Sequence, residues 1–324
     1  MKMNQTGNEV EKPLPSANPA DVERCKIVDR EVNEIDDARS ESKKQWLINI
    51  AFLYGKHYFS VDRKNATTLD EKILWEFKRM DRKKKTKRIS NYILPLFRSL
   101  LSKLLTMKST ISAEATTNAE RDRSASKVSQ ELLEEFWQNC NKRNVILSQD
   151  AVGMLMVLKK LFSYMLAIGG GYLFPYFNPR ARANAYLEDK VVNDVQIGEV
   201  ECRVLHHFNV YRSECKRFLI IEDFLHVDDI EEQYGVKVQS ETLEAPDFEQ
   251  RLISMLEQSS DKKKKNHARV LQKWHIPCKK HPQGQLFVCT KDKILYDEGI
   301  PEEYKGRIPL FEFRYLDFML APFA

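Results

Sequence analysis

The feature that most constrains the fold is the triple glycine at residues 169–171, because the pattern of apolar residues changes there. Before it, apolar side chains recur every three or four residues, as in Gln149–Ile168, which is typical of amphipathic helices. After it, apolar and polar residues alternate, as in Glu199–His207, which is typical of half-buried strands. The change predicts an α+β protein, with a helical N-terminal half followed by a mostly antiparallel β-rich half.

The two periods predict most elements individually. Helices are predicted at Ser42–Phe59, Leu69–Met80, Ile89–Met107, Arg121–Asn139, Gln149–Ile168, Asp228–Tyr234 and Asp247–Gln258. Thr68 and Glu71 form a capping box that favours the start of the second of these helices. Strands are predicted at Thr110–Thr116, Tyr172–Phe177, Glu199–His207, Arg217–Glu222, Val270–Cys278, Gln285–Thr290, Ile294–Tyr296 and Ile308–Phe313.

The composition of the N-terminus predicts a mobile arm, which we assign to residues 1–41. It is rich in polar residues and proline and lacks the apolar core of a secretory signal. The helical part then covers residues 42–168 and the β-rich part residues 169–324. Six cysteines scattered along a chain with no secretory signal indicate free thiols in a reducing compartment. Since Lys159, Lys160 and the glycines interrupt the most apolar stretch, we expect a soluble chain without a membrane span.

The positive charge of the chain is concentrated in residues 78–88. This segment holds eight basic residues and one acidic residue, a local charge of +7, although the whole chain carries only +5. The rest of the chain therefore sums to −2. Such a density attracts a phosphate backbone, but it also suits a solvated loop between two helices or a localisation signal. The candidate polyanion-, DNA- or partner-binding residues are Arg79, Arg82, Lys83, Lys84, Lys85, Lys87 and Arg88.

The chemical motifs of common enzymes are missing from the sequence. It has no phosphate-binding loop, no HExxH and no GxSxG, so we expect neither an enzyme nor a cofactor. The weak candidates for a metal site are His275, Cys278, His281 and Cys289, whose side chains suit zinc. They lack the closely spaced cysteine pairs of structural zinc sites, and we expect no metal there.

The order of features resembles the N-terminal, wing-forming part of the portal proteins of tailed bacteriophages. Asn91–Pro95 resembles the Asn-x-x-x-Pro start of a long helix in that family, and the glycines at 169–171 resemble its junction between helix and strand. Val204–Tyr211 is similar to the strand ending in Val-Tyr, and Val227–Gly235 to the short helix before Tyr-Gly. Trp274–Pro309 resembles the closing hairpin, so the resemblance covers roughly residues 89–318.

This resemblance implies a structural role without catalysis. Portals form a twelve-subunit ring at one capsid vertex, through which double-stranded DNA is packaged and ejected. The implied partners are other copies of the chain, double-stranded DNA, capsid and scaffold proteins, the terminase and neck or adaptor proteins. The implied location is the virion, and the host cytoplasm during assembly. The stem, clip and crown segments of the family have no counterpart within residues 1–324, so we expect a wing-like piece of a portal.

Two other functions remain open at the level of sequence. The first is a monomeric basic nucleic-acid-binding accessory protein that uses the same basic run. The second is an enzyme with zinc at the His and Cys residues named above. Particle size separates the first from a ring, and metal analysis tests the second.

Overall fold

A computed structural model describes residues 18–55, 59–63, 75–79, 91–106, 112–115, 117, 119–140, 153–178, 182–187, 190–196, 198–243 and 264–314. The helices in these ranges are α1 (Pro19–Ala38), α2 (Ser40–Leu53), α3 (Ile93–Thr106), α4 (Glu120–Asn139), α5 (Met154–Ile168) and α6 (Val227–Tyr234). The strands are β1 (Phe59–Arg63), β2 (Trp75–Arg79), β3 (Gly170–Asn178), β4 (Arg182–Leu187), β5 (Lys190–Gln196), β6 (Glu199–Leu205), β7 (Val210–Arg212), β8 (Phe218–His226), β9 (Glu241–Leu243), β10 (Lys264–His275), β11 (Gln285–Cys289), β12 (Ile294–Glu298) and β13 (Phe311–Arg314). The predicted α+β class, with a helical half before a β-rich half, is confirmed.

The strands form two larger sheets and two hairpins, and every pair is antiparallel. The larger sheet has the order β12-β11-β10-β8-β7, with β9 paired to the start of β10. The smaller sheet has the order β13-β3-β6, and the hairpins are β1-β2 and β4-β5. Strand β3, which follows the glycine junction, pairs with both β6 and β13. The last described strand, β13, therefore lies beside β3.

The larger sheet is buried on both faces, as the alternation along β8 shows. Ile220 packs in a cluster with Val28 and Val32 of α1, so α1 covers one face. Leu219 and Ile221 point to the other face and pack in a cluster with residues of the three-stranded sheet. All three β8 side chains are buried, which accounts for a continuous apolar run in this strand.

The three-stranded sheet is a second layer between the larger sheet and the helices. Tyr172 and Leu205 face the larger sheet. On the opposite face, Cys202 packs against Met154 and Val157 of α5. The layers therefore run from α1, through the larger sheet and the smaller sheet, to α5 and the helices around it. This is a multilayered arrangement with the hydrophobic core divided between the layers.

The join between α1 and α2 is fastened to the body by Arg39. Its guanidinium donates hydrogen bonds to the carbonyl oxygens of His207, Phe208 and Val210, at 2.7, 3.2 and 2.6 Å. It also stacks over the ring of Tyr211, 4.3 Å from the centroid. Five donors in a fixed plane suit such a cluster of carbonyls. One side chain thus fixes the turn that links the two sheets.

Residues 19–41 were expected to belong to a mobile arm, but the structure differs. They form α1 and the start of α2, and Cys25, Val28 and Val32 of α1 are buried in the core. Asn18 caps the helix by accepting from the Ala20 amide at 3.3 Å, and Pro19 occupies the first helical position. Asparagine and proline here are start signals for a helix, because proline lacks an amide hydrogen that the first turn leaves unpaired anyway.

The predicted helix Leu69–Met80 is wrong over its last residues. Residues 75–79 form β2, which pairs with β1 in the register Val61↔Phe77. Trp75 and Phe77 alternate with charged residues and favour a strand, and that preference prevails once a partner strand is present. Residues 112–115 are not a strand, and the β4-β5 hairpin was not predicted. The predicted helix Asp247–Gln258 lies outside the described residues.

Candidate assembly surface

The first half of α3, with Tyr92 just before it, exposes a stripe of apolar side chains. Tyr92 is 80% exposed and Leu96 61%, and Ile93 and Leu100 are exposed as well. These positions fall on one face at helical spacing. The adjoining face carries half-buried leucines and Phe97, and α3 lies against α5 and α2. No residue of α3 is buried, so the helix has an inner apolar face and a second, exposed one.

Asn91 sets where α3 begins and how it leaves the body. Its Oδ1 accepts hydrogen bonds from the amides of Ile93 and Leu94, at 3.1 and 3.2 Å. Its Nδ2 donates to the carbonyl of Leu53 at 2.8 Å. Asn91 therefore caps the start of α3 and satisfies the last turn of α2 at once. The exposed stripe is thereby held in a defined orientation on α2.

Helix α4 carries a second exposed apolar stripe. Leu132 is 61% exposed and Val128 55%, and Leu133 is exposed too. No residue within α4 is buried. The helix is anchored at its end, where Cys140 packs with Met154 and other core residues. Most of α4 thus presents its apolar side chains outward while only its last turn joins the core.

The two helices carry opposite charge. Between Ile93 and Thr106, α3 has two basic residues, Arg98 and Lys103, and no acidic residue. Helix α4 has five acidic residues against three basic ones, a net charge of −2. Two amphipathic helices of opposite charge are complementary surfaces for helix-to-helix packing. We call Tyr92, Ile93, Leu96, Leu100, Val128, Leu132 and Leu133 the assembly surface.

The basic run of the sequence falls almost entirely outside the described residues. Arg79 is the last residue of β2. The other candidates, Arg82, Lys83, Lys84, Lys85, Lys87 and Arg88, lie outside them, so their role stays a prediction. The run was expected between two helices, but the described element before it is a strand and the one after it is α3. In sequence it leads directly into the assembly surface.

The four zinc candidates do not form one cluster. Cys289 lies in the core beside Cys25. His275 stacks on Phe218, with 6.3 Å between ring centroids, and its ring is 5.9 Å from that of His281. Cys278 closes a turn with His281 through backbone hydrogen bonds of 2.9 and 3.1 Å. Across the described ranges, no three His, Cys, Asp or Glu side chains are grouped as ligands for a metal ion.

His206 and His207 were predicted as the last residues of the strand Glu199–His207, but they follow the end of β6 and enter an aromatic cluster. His207 stacks on Trp46 at 5.1 Å, and His206 lies edge-on to Tyr164 at 5.5 Å. Burial lowers the pKa of His206 to about 3 and that of His207 to about 4. Both rings are therefore neutral near pH 7, and both pack as aromatic side chains.

Two polar networks around the buried carboxylates of Asp223 and Glu222 were not predicted. Between the sheets, Arg203 pairs with both carboxylate oxygens of Asp223, at 3.1 and 2.6 Å. Under α1, Arg269 donates to Glu222 at 2.7 Å and to Asp29 at 2.5 Å. Each carboxylate is compensated by a guanidinium at hydrogen-bonding distance, which is how buried charge is tolerated. These networks join the layers of the protein. Their charges are paired with one another, so a structural role explains them.

The assembly surface could have been recognised from one signal in the sequence. Eight of the 14 residues of α3 are Leu, Ile or Phe. A helix that buries a single face needs only three or four apolar residues in two turns. The excess indicates a second apolar face. That this face stays outside the body depends on tertiary packing and is not readable from the sequence.

No protein-family model matches the chain, and no curated protein is similar enough to count as a relative. Within the described residues, no helix is both long enough and apolar enough to cross a membrane.

Proposed function

We propose that this chain is a structural subunit of a tailed-bacteriophage portal. In this proposal, copies of the chain assemble into a ring at one vertex of the capsid, and double-stranded DNA passes through that ring during packaging and ejection. The observation that carries the proposal is the pair of exposed apolar stripes with opposite charge on α3 and α4.

The stripes favour a second copy of the chain as their partner. The α3 stripe of one subunit complements the α4 stripe of the next in both apolarity and charge. A contact between two different surfaces is heterologous, and repeating it around an axis closes a ring. Neighbouring exposed apolar side chains of this kind on a folded protein are typical of interaction sites.

The order of elements around the glycine junction also supports the proposal. Helix α5 ends at Gly169, whose φ of 86° is in the left-handed region that favours glycine, and β3 begins at the next residue. Helix α6 ends in the same way at Gly235, directly after Tyr234. These are the positions on which the resemblance to portal proteins depends. The basic run would then supply salt-dependent contact with DNA or a partner protein.

The first experiment measures the size and shape of the purified chain. We expect negative-stain images to show rings with a central hole, and light scattering to give a mass that is a multiple of 38.0 kDa. Leu96→Glu and Leu132→Glu should each abolish rings, because each places a charge within one apolar stripe. Ile27→Glu is the matched control: Ile27 is 45% exposed but lies on α1, away from the assembly surface, so its rings should persist.

Mixing the two variants tests whether the contact is head-to-tail. The Leu96→Glu subunit keeps its α4 stripe and the Leu132→Glu subunit keeps its α3 stripe. Mixed together they should form dimers and nothing larger, whereas each alone stays monomeric. Dimers formed by either variant alone would mean that like stripes pair, which contradicts ring closure by this surface.

A third outcome would favour a different function. If the unmodified chain is a monomer at micromolar concentration and binds duplex DNA through residues 82–88, the accessory nucleic-acid-binding protein is the better explanation. Binding that falls steeply with salt, and that is lost when these basic residues are neutralised, would identify it.

A further inference from the structure

Four of the six cysteines form two buried pairs. Cys25 of α1 and Cys289 at the end of β11 are 1% and 0% exposed, and their thiols are hydrogen-bonded within one hydrophobic cluster. Cys140 at the end of α4 and Cys202 of β6 are 0% and 4% exposed, and their thiols are hydrogen-bonded in another cluster. Each pair joins a helix to a strand that is distant in sequence.

The pairs lie at the two outer helix-to-sheet contacts of the layered body. Cys25 and Cys289 lie where α1 covers the larger sheet. Cys140 and Cys202 lie where the end of α4 meets the smaller sheet and α5. A covalent bond at each place would fasten one outer helix to the sheet beneath it, and the two bonds together would span the layers.

We propose that Cys25–Cys289 and Cys140–Cys202 are two intrachain disulfide sites, reduced in a reducing compartment and closed when the folded protein meets a low-molecular-weight disulfide. The inference is independent of the proposed function, because it concerns contacts inside one subunit. It replaces the expectation of six unrelated free thiols with two pairs and two single cysteines.

The exchange balances with oxidised glutathione as the oxidant. Because both thiols are buried, local opening of the α1 contact must first expose them. One thiolate, for example that of Cys25, then attacks one sulfur of the glutathione disulfide and expels one glutathione thiolate, which takes up the Cys25 proton. Cys289 then attacks the mixed disulfide and expels the second glutathione, which takes up the Cys289 proton. One protein disulfide forms, and its two electrons leave on two glutathione molecules. Cys140 and Cys202 react in the same way.

The pKa values of the two thiols in each pair are shifted in opposite directions. The hydrogen bond from Cys289 lowers the pKa of Cys25, and the hydrogen bond from Cys140 lowers the pKa of Cys202. The same contacts, with burial, raise the pKa of Cys289 and of Cys140. The opposite shifts come from direct contact between the two thiols of each pair, and whichever thiol ionises is the nucleophile.

The two remaining cysteines provide the control. Cys215 is exposed and Cys278 is half-buried, and neither lies beside another cysteine among the described residues. The variant Cys215→Ser with Cys278→Ser keeps only the paired thiols. Oxidation of this variant therefore reports on the pairs alone.

The test treats the full-length double-serine variant with oxidised glutathione, blocks the remaining thiols with an alkylating agent and maps peptides without reduction. We expect all four thiols to be lost and the peptides to be linked only as 25–289 and 140–202. The midpoint of thermal unfolding should rise by about 5 °C or more, because each disulfide closes a long loop of the unfolded chain. Reduction with dithiothreitol should return it to its starting value. Cys25→Ala in the same background should lose only two thiols and keep the 140–202 link.

Two results would overturn the proposal. One is retention of all four thiols by the folded protein after prolonged exposure to the oxidant, with Cys215 and Cys278 reacting in the natural sequence. The other is a different linkage, such as 25–140, or stable mixed disulfides with glutathione. Peptide mapping needs no core variant, so the result is decisive even if Cys25→Ala fails to fold.

Discussion

Acidification should destabilise this protein through His206 and His207. An ordinary histidine has a pKa near 6.5, but burial lowers the pKa of His206 to about 3 and that of His207 to about 4. Between those values and pH 6.5 the unfolded chain binds protons that the folded chain excludes. The free energy of unfolding therefore falls as the pH falls from about 6.5 toward 4. The stability lost in this way is fully present above the pKa of histidine in the unfolded chain.

The surroundings of the two rings explain why folded-state protonation is disfavoured. His206 is 5% exposed and lies edge-on to the rings of Tyr164 and Phe208, with Lys160 adding like charge. Around His207, the cations Arg39 and Arg314 oppose protonation and the carboxylate of Glu312 favours it, but burial dominates. A cationic ring in either place would lose hydration without gaining a sufficient counter-charge.

The size of the effect follows from linkage. At pH 5, each histidine should lower the free energy of unfolding by about 2 kcal/mol relative to pH 8, so the two together by about 4 kcal/mol. Near pH 5.5 they should add about two protons to the uptake on unfolding. Urea titrations across this range give the slope, and calorimetry in buffers of different ionisation enthalpy gives the protons.

Single substitutions identify the source of the slope. His206→Gln and His207→Gln should each remove about one proton of uptake and about 2 kcal/mol of pH dependence, whatever they do to stability at pH 8. Two results would contradict the lowered pKa values of the buried histidines. One is that the natural protein takes up no protons on unfolding beyond those of its other titrating groups. The other is that both variants keep the full dependence of the unfolding free energy on pH. Proton uptake by the natural protein is informative even if a variant does not fold.

Two further substitutions test a buried ion pair and a close packing contact in the core. Asp36→Asn should lower the free energy of unfolding by about 3–5 kcal/mol in urea, because it removes the carboxylate that pairs with the buried ammonium of Lys43; adding Lys43→Met should recover much of the loss. Gly170→Ala should cost about 1–3 kcal/mol in the same assay, since a Cβ there would lie 2.5 Å from His207 Nε2 and 2.8 Å from the Phe313 carbonyl. Gly299→Ala is its control, because the nearest atom would be 3.3 Å away on the flexible Gln283 side chain, and equal losses at the two glycines would contradict the steric explanation.

Elements whose signals are local were predictable from the sequence. The end of α5 at Gly169 and the strand after it follow from a helical period, a glycine stop and a run of strand-forming residues. The same holds for α6, whose end is fixed by Gly235. The α+β class follows from these local signals together.

Helix α1 was missed although Asn18 and Pro19 mark its start, because the residues that pack against it are distant in sequence. Its buried face is narrow, and its charged residues pair with the sheet: Asp29 with Arg269, and Glu31 with Lys273 at 2.6 Å. Taken alone, such a segment is polar and resembles an arm. Only when β10 is in place does each of these charges acquire a partner, some 240 residues away along the chain.

The candidate surface was readable in part. The surplus of leucine in α3 is visible in the sequence. The opposite charges of α3 and α4 indicate an interface only when both apolar stripes are known to be exposed. The cysteine pairs were not readable at all, because spacing does not reveal which thiols meet in the core.

If the chain assembles as proposed, stability and assembly reside in different parts of the molecule. The core consists of the sheets, α1, α2, α5 and α6 together with the buried networks, whereas α3 and α4 contribute no buried residue within their lengths. A charge placed at Leu96 or Leu132 should therefore leave the unfolding free energy nearly unchanged while it changes the oligomeric state. Exposed apolar stripes also invite non-specific association. In the proposed subunit another copy of this chain covers these stripes, and the opposite charges of α3 and α4 are the reason to expect that partner.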